Sequence, residues 1–191
     1  MEGKKFELTK ECITVNGKRL FRIRALICFN DVKAGDLGGF VEKEENLSHI
    51  SNAWVSGDAE VYGNARVYGN ARVYGNARVY GNARVYCNAR VCGNAEIYGN
   101  AWVSGDARVY GDAEVASDAD YTTIKGFGTE FRNTTFFRCK DNAIKVSCGC
   151  FLGTIDEFRK QVKNTRTGKI AKEYLMIADL MEYHFKKDDD K

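Results

Sequence analysis

The central part of the chain, residues 53–118, alternates small or branched apolar residues with polar and aromatic residues, and the pattern returns every six positions. In the stretch 65–68, Ala65 and Val67 alternate with Arg66 and Tyr68, which is the period-two pattern of a strand with one buried face. The Gly-Asn pair that follows favours a turn, because both residues tolerate positive φ. The phrase Ala-x-Val-x-Gly-Asn/Asp therefore predicts one short strand and one corner for every six residues.

The phrase recurs eleven times in succession, with Cys87, Ile97 and Ser117 as departures from its fixed positions, and the copies at 65–70, 71–76 and 77–82 are all ARVYGN. Units repeated at a short fixed period bury their apolar faces by stacking on their neighbours. Three phrases would close one coil, and successive coils roughly 4.8 Å apart would pair in parallel. The sequence therefore predicts an all-β solenoid, a parallel β-helix whose narrow interior of Ala and Val leaves no room for a ligand.

The segments on either side of the repeat predict two caps. An Asn16-Gly17 pair between two alternating stretches predicts a β-hairpin in the amino-terminal cap, and residues 47–52 are interpreted as a degenerate phrase. The carboxy-terminal cap is predicted as α+β, with a β-hairpin turning at 140–142, a capping box at 154–157 and a second helix over about 170–185. The predicted division is an amino-terminal β cap at 1–52, the β-helix at 53–120, the α+β cap at 121–187 and an acidic tail at 188–191.

Every third phrase returns to the same side of the predicted coil, so the outward residues sort into three sides. Side one carries Trp54, Arg72, Arg90 and Arg108, with Tyr74 and Tyr110 beside them. Side two carries Glu60, Arg78, Glu96 and Glu114, and side three carries Arg66, Arg84 and Trp102 with Tyr68 and Tyr86. The alternating charges of side two can pair with each other, whereas the arginines of side one repel unless something compensates them. Sides one and three are therefore the candidate binding surfaces.

Arginine and tyrosine side by side suit two kinds of partner. Protein interfaces are enriched in both residues, and in nucleic-acid complexes Arg meets phosphate while Tyr stacks on bases. The repeat carries six Arg against three Glu and four Asp, which favours a protein or nucleoprotein complex and leaves bare nucleic acid as an alternative. The carboxy-terminal cap is basic, and Lys160, Lys163 and Arg166 are either further contacts for an acidic partner or a solvated helix surface. A homo-oligomer is also compatible with the pattern.

Few residues are suited to catalysis or metal binding. The two histidines, His49 and His184, both lie outside the repeat. Cys139, Cys148 and Cys150 are weak metal candidates, because Cys-Gly-Cys lacks the usual two-residue spacing, and buried thiols are the preferred interpretation. No cofactor is predicted. An odd number of cysteines without framework spacing, and no apolar run that could be a leader or a membrane span, favour the cytoplasm without membrane association.

The repeated phrase resembles the hexapeptide repeat of left-handed parallel β-helices, the fold of many acyltransferases. That resemblance implies a left-handed coil. Acyltransferases of this fold use a histidine general base near the coils. Because His49 and His184 both lie outside the repeat, an acyltransferase, or its inactive relative, is the alternative and not the favoured function.

The flanking stretches DVKAGDLGGFVEKEENLS and IKGFGTEFRNTTFF…VSCGCFLGTIDEF resemble uncharacterised repeat proteins of gut bacteria and their phages. This second resemblance implies an accessory protein of a mobile element that inhibits a host defence complex. The expectation is thus a non-catalytic binding or scaffold protein that presents ladders of Arg and Tyr to a macromolecular partner.

Overall fold

The computed structural model describes residues 3–186, so the predicted acidic tail at 188–191 lies outside the described residues. The amino-terminal cap contains strands β1 (Phe6–Val15), β2 (Lys18–Ala25) and β3 (Leu37–Val41), followed by a 3₁₀ turn at Glu44–Asn46. The predicted hairpin turn joins β1 to β2, with Asn16 and Gly17 both at positive φ.

Eleven two-residue strands follow at six-residue intervals, one in each phrase. They are β4 (Trp54–Val55), β5 (Glu60–Val61), β6 (Arg66–Val67), β7 (Arg72–Val73), β8 (Arg78–Val79), β9 (Arg84–Val85), β10 (Arg90–Val91), β11 (Glu96–Ile97), β12 (Trp102–Val103), β13 (Arg108–Val109) and β14 (Glu114–Val115). Each pairs in parallel with the third strand after it, which gives the sheets β4-β7-β10-β13, β5-β8-β11-β14 and β6-β9-β12. These sheets are the predicted sides one, two and three, stacked in about four coils, and the predicted repeat-based β-helix is confirmed. Left-handedness stays a prediction from the resemblance.

The interior is the column of alanines and branched residues that the phrase predicts. Every inner Ala, Val and Ile from Ala53 to Val115 is at most 1% exposed. Backbone N–H groups of one coil donate to carbonyls of the next, as from Arg72 to Ala89 at 2.9 Å. Burying one valine stabilises a fold by about 1.5–3 kcal/mol, so repetition alone supplies a continuous core.

The amino-terminal hairpin extends side two. Strand β2 pairs antiparallel with β3, and β3 pairs in parallel with β5. Gly38 and Gly39 allow this close approach, because a Cβ on Gly39 would lie 2.5 Å from the Ala59 carbonyl oxygen. Lys5 Nζ donates to the Ala53 carbonyl at 2.8 Å and so satisfies part of the open edge of the first coil.

The register predicted for residues 47–52 is wrong by two residues. A phrase beginning at Leu47 would align Leu47 with Ala65, but Leu47 bridges to Val67. Leu47 takes the aliphatic position because its side chain is too large for the alanine position. The first coil is therefore two residues longer than the later ones, and the extra residues lie between Leu47 and Asn52, because the Asn52 amide donates to Asn70 in the ordinary 18-residue register.

The carboxy-terminal cap is a four-stranded antiparallel sheet covered by two helices. The elements are β15 (Tyr121–Phe127), β16 (Arg132–Arg138), β17 (Ile144–Cys148), β18 (Phe151–Thr154), α1 (Ile155–Thr165) and α2 (Gly168–His184). Phe137 joins the solenoid core and Phe136 packs under the helices, so the sheet separates the last coil from α1 and α2. The capping box is present, with Glu157 N–H donating to Thr154 Oγ1.

Helix α2 packs on this sheet through Tyr174, Ile177, Ala178 and Met181. Leu180 and His184 of the same helix are exposed. In the described part of the chain, no helix is both long and apolar enough to span a membrane.

Candidate interaction surface

The glutamates of side two have partners within the chain. Arg78 Nε lies 3.2 Å from Glu60 Oε2, Tyr80 donates to Glu96 at 3.0 Å, and Tyr98 donates to Glu114 at 2.7 Å. Burial acts to raise the pKa of Glu96, but hydrogen bonds from Lys140 and Tyr80 outweigh it and hold that pKa below its usual range. Side two thus presents few unsatisfied charges to a partner.

The beginning of side one is covered by the amino-terminal cap. Trp54 is 3% exposed and packs edge-to-face on Phe29, with 5.4 Å between ring centroids. Arg72 forms an ion pair with Asp31 in the loop that follows β2. Trp54 is therefore a core residue, and its prediction as a partner contact is wrong. The charge of Arg72 is balanced within the chain by Asp31.

The end of side one is open. Arg90 is exposed and stands directly beside Arg108 in the parallel register. Arg108 is half-buried, with Nη1 3.5 Å from the Gly149 carbonyl oxygen. Within residues 3–186, neither arginine has a carboxylate within 4 Å. Tyr74 and Tyr110 are half-buried beside them, and burial and hydrogen bonding with Cys92 raise the pKa of Tyr74.

Side three is the exposed ladder. Arg66, Arg84 and Trp102 are all exposed, and the Arg84 guanidinium lies 4.6 Å from the centre of the Trp102 ring. The rings of Tyr68 and Tyr86 stack 4.9 Å apart beside them. Neither Arg66 nor Arg84 forms an ion pair among the described residues. We call Arg66, Arg84, Trp102, Tyr68 and Tyr86 the side-three ladder.

A cavity of about 590 Å³ adjoins the beginning of the side-three ladder and is lined by Arg66, Tyr68, Arg84 and His49, among others. His49 stacks on Phe6 at 4.2 Å, and its Nδ1 accepts a hydrogen bond from the Lys5 N–H at 3.2 Å. These contacts fix the imidazole within the amino-terminal cap. His184 is exposed at the end of α2, in the opposite cap.

The three cysteines do not converge. Cys139 is buried at the turn of the hairpin, whereas Cys148 lies at the far end of β17 opposite Thr134, and Cys150 is exposed. No three His, Cys, Asp or Glu side chains between residues 3 and 186 are grouped to hold a metal ion. The weak metal candidates are therefore wrong, because the length of β17 separates two of them. Burial raises the pKa of Cys139 to about 11, as expected of a thiol packed in a core.

The three basic residues predicted as contacts in the carboxy-terminal cap lie on and after helix α1. Lys160 and Lys163 are exposed on α1, and Arg166 is exposed at its end. Helix α1 packs on the sheet face that is turned away from the solenoid. All three residues are available to solvent, and Arg166 lines a cavity of about 190 Å³ together with Arg132.

Three residues that sequence reasoning missed lie beside the open end of side one. Lys125, Phe131 and Arg132 line a cavity of about 310 Å³ together with Arg90 and Arg108. The only sequence signal for them is the excess of thirteen Lys and Arg over seven Asp and Glu in residues 121–187. Their position depends on how the cap docks, which a repeat pattern does not encode.

The stacked parallel coils with outward ladders define a β-solenoid repeat protein. Within this class, the coils match one described repeat, the YdcK beta-solenoid repeat, in overlapping segments at 53–75, 65–79, 71–86, 77–93, 89–105 and 95–111. The match covers residues 53–111 and leaves out the last phrase of the solenoid and the two caps. No curated protein matches the chain significantly.

Proposed function

We propose that the chain is a non-catalytic binding protein that presents the side-three ladder to a macromolecular partner, with a protein or nucleoprotein complex favoured. The observation that carries the proposal is the contrast between the sides. The glutamates of side two have partners within the chain and the start of side one is covered, whereas the side-three ladder leaves two arginines and a tryptophan exposed. Trp, Tyr and Arg are the residue types that dominate binding energy at protein interfaces.

The rigidity of the scaffold supports this function. Each coil is hydrogen-bonded to the next through its backbone, and corner asparagines add a second ladder, as from Asn64 to Asn82 at 3.1 Å. Side chains that are already ordered lose less entropy on binding. A rigid array repeated about every 4.8 Å is suited to a partner surface with similarly ordered groups.

The nature of the partner is proposed from the resemblance to phage and bacterial repeat proteins. We take the chain to be an accessory protein of a mobile element that acts in the cytoplasm by occupying a surface of a host defence complex. The acyltransferase alternative gains no specific support from His49, whose contacts hold it within the cap.

The test is capture of partners from bacterial lysate with and without nuclease, using the wild type and two matched arginine variants. Arg66→Glu/Arg84→Glu changes side three, and Arg90→Glu/Arg108→Glu makes the same chemical change on side one. We expect a host protein that survives nuclease, is lost with the side-three variant and is retained by the side-one variant. Equal retention by all three proteins, or no retained protein, would contradict the proposal, and acyl-transfer assays with His49→Ala would then follow.

A further inference from the structure

A notch lies where the carboxy-terminal cap meets the last coils at the corner between sides three and one. Its cavity of about 310 Å³ is bordered by Arg90 and Arg108 from the solenoid and by Lys125 and Arg132 from β15 and β16. The two pairs come from parts of the chain that are distant in sequence. The fold therefore gathers four cationic side chains around one concave site, which we call the notch.

The carboxylates near the notch pair with Lys125 and Arg132 and not with Arg90 or Arg108. Asp106 accepts a hydrogen bond from the Asn88 amide at 2.9 Å and lies 3.5 Å from Lys125 Nζ. Glu130 lies 3.9 Å from Arg132. These two acids pair with Lys125 and Arg132, so Arg90 and Arg108 are the two cations of the notch that form no ion pair within the described residues.

Arg90 and Arg108 occupy adjacent coils in direct register. Strands in such a sheet are about 4.8 Å apart, and like charges at this separation repel. On the same side, Arg72 is paired with Asp31, which also attracts Arg90 electrostatically. Asp106, the acid that lines the notch, is paired with Lys125 and not with either arginine. An oxyanion bound between the two guanidinium groups would supply the missing charge, because guanidinium groups match the oxygens of phosphate and carboxylate.

Phe131 indicates that the ligand carries more than an anionic group. Its side chain is 63% exposed and borders the same cavity, and its backbone lies in the left-handed region at φ +49°. That conformation is uncommon for a bulky residue, and such residues concentrate at ligand sites. An exposed phenyl ring beside an oxyanion site is suited to a flat aromatic group attached to the anion.

We propose that the notch binds a nucleotide, with its phosphate between Arg90 and Arg108 and its base against Phe131. The cavity is at the lower end of the roughly 300–1,000 Å³ range of small-molecule sites, which fits one nucleotide and not a duplex. A free mononucleotide and one unit of a single strand share this chemistry. The proposal concerns a different surface from the side-three ladder and stands independently of it.

The first experiment measures binding of AMP by calorimetry and of a fluorescent single-stranded RNA octamer by anisotropy, both at low salt. The wild type is compared with Arg90→Ala/Arg108→Ala and with the matched control Arg66→Ala/Arg84→Ala. We expect at least a tenfold loss with the notch variant and less than a twofold change with the control. Octamer binding far tighter than AMP binding would identify the strand as the source, and the reverse would identify the free nucleotide.

For the octamer, the salt dependence gives a second measurement. Each phosphate contact contributes about 0.7 to the slope of log K against log salt for single strands, so removing the two arginines that share one phosphate should lower the slope by about 0.7. Thermal midpoints of both variants should lie within about 4 °C of the wild type, because Arg84 loses one exposed cation–π contact and Arg108 one hydrogen bond to a backbone carbonyl. Failure of the wild type to bind either probe, or equal losses in notch variant and control, would overturn the proposal.

The role of the base is tested with Phe131→Ala and with inorganic pyrophosphate as a second ligand. Loss of a stacking side chain weakens nucleotide binding by about tenfold, whereas pyrophosphate affinity should not change. If Phe131→Ala leaves nucleotide affinity intact, the base assignment is wrong and the notch is an anion site only. Loss of the lysate protein with the side-three variant, while nucleotide binding persists, would separate the two proposals.

Discussion

The guanidinium of Arg84 lies 4.6 Å from the Trp102 ring, one coil further along side three. Trp54 occupies the same position of the phrase on side one, but it is 3% exposed where Trp102 is 44% exposed. Both tryptophans follow an alanine and precede a valine, so the local sequence does not separate them. The difference comes from the amino-terminal cap, which places Phe29 against Trp54 and nothing comparable over Trp102.

The two tryptophans should therefore respond differently to truncation. We expect Trp54→Ala to lower the free energy of unfolding by about 3–5 kcal/mol, because it empties a packed site. Trp102→Ala should cost about 0.5–1 kcal/mol, which is the scale of an exposed cation–π contact. Urea unfolding at pH 7 measures both. Similar losses for the two variants would show that Trp102 is also part of the core.

Cys87 stands where the phrase has glycine at most other corners. Its φ is +58°, and the residues one coil before and after it, Gly69 and Gly105, have φ values of +68° and +67°. A residue with a side chain pays about 1–2 kcal/mol for this left-handed conformation. Replacing it with glycine recovers only part of that free energy, because glycine loses more conformational freedom on folding.

We expect Cys87→Gly to raise the free energy of unfolding by about 0.5–1 kcal/mol. The reverse change, Gly81→Cys, should destabilise, since a Cβ there would lie 3.1 Å from the Gly99 backbone nitrogen. Thermal unfolding of the two single variants provides the comparison. A destabilised Cys87→Gly protein would mean that the thiol makes a stabilising contact that outweighs the backbone cost.

How far the fold could be predicted depends on which interactions are local. The pairing of Arg72 with Arg90 follows from a constant period, because a two-residue corner leaves no freedom of register. The ion pair between Arg72 and Asp31 does not follow from the period, because the loop that carries Asp31 could have folded over any side. Phe131 and Arg132 line one cavity with Arg90 because the carboxy-terminal cap docks on the last coil, and the period does not determine that docking either. The repeat pattern thus predicted the surfaces, and tertiary contacts between caps and coils decide which parts of them stay open.

The corner asparagines form ladders with a direction. The Asn76 amide donates to Asn94 Oδ1 at 3.3 Å, and the Asn94 amide donates to Asp112 Oδ1 at 3.2 Å. An aspartate accepts but cannot donate, so it fits at the end of this ladder and not inside it.

We expect Asn94→Asp to cost about 1–2 kcal/mol, from one lost hydrogen bond and from repulsion with Asp112. Asp112→Asn should change stability by less than about 0.5 kcal/mol, because the terminal position needs only an acceptor. Chemical denaturation with urea at low and high salt separates the two causes, since salt screens only the repulsion. A penalty for Asn94→Asp that did not shrink in high salt would assign the effect to the hydrogen bond alone.

Glu42 connects the amino-terminal hairpin to the coil that follows β5. Its Oε2 accepts from the Gly63 N–H at 2.6 Å, and Lys18 Nζ donates to both carboxylate oxygens at 2.9 Å. Burial acts to raise the pKa of Glu42, but the hydrogen bonds from Lys18 and Gly63 outweigh it and hold the pKa below its usual range.

Because the folded pKa of Glu42 is lower than the unfolded value of about 4.3, the unfolded chain binds more protons between the two values. The contribution of Glu42 is then complete above pH 4.5 or so and is lost as the pH falls through the folded pKa. Glu42→Gln should lower the free energy of unfolding at pH 7 by about 1.5–3 kcal/mol, the scale of a hydrogen bond to a charged group, and by much less near pH 3. Urea unfolding across this range is the measurement, with the exposed neighbour Glu45→Gln as control. A difference between wild type and Glu42→Gln that stayed constant with pH would show that the carboxylate charge does not hold the hairpin to the coil.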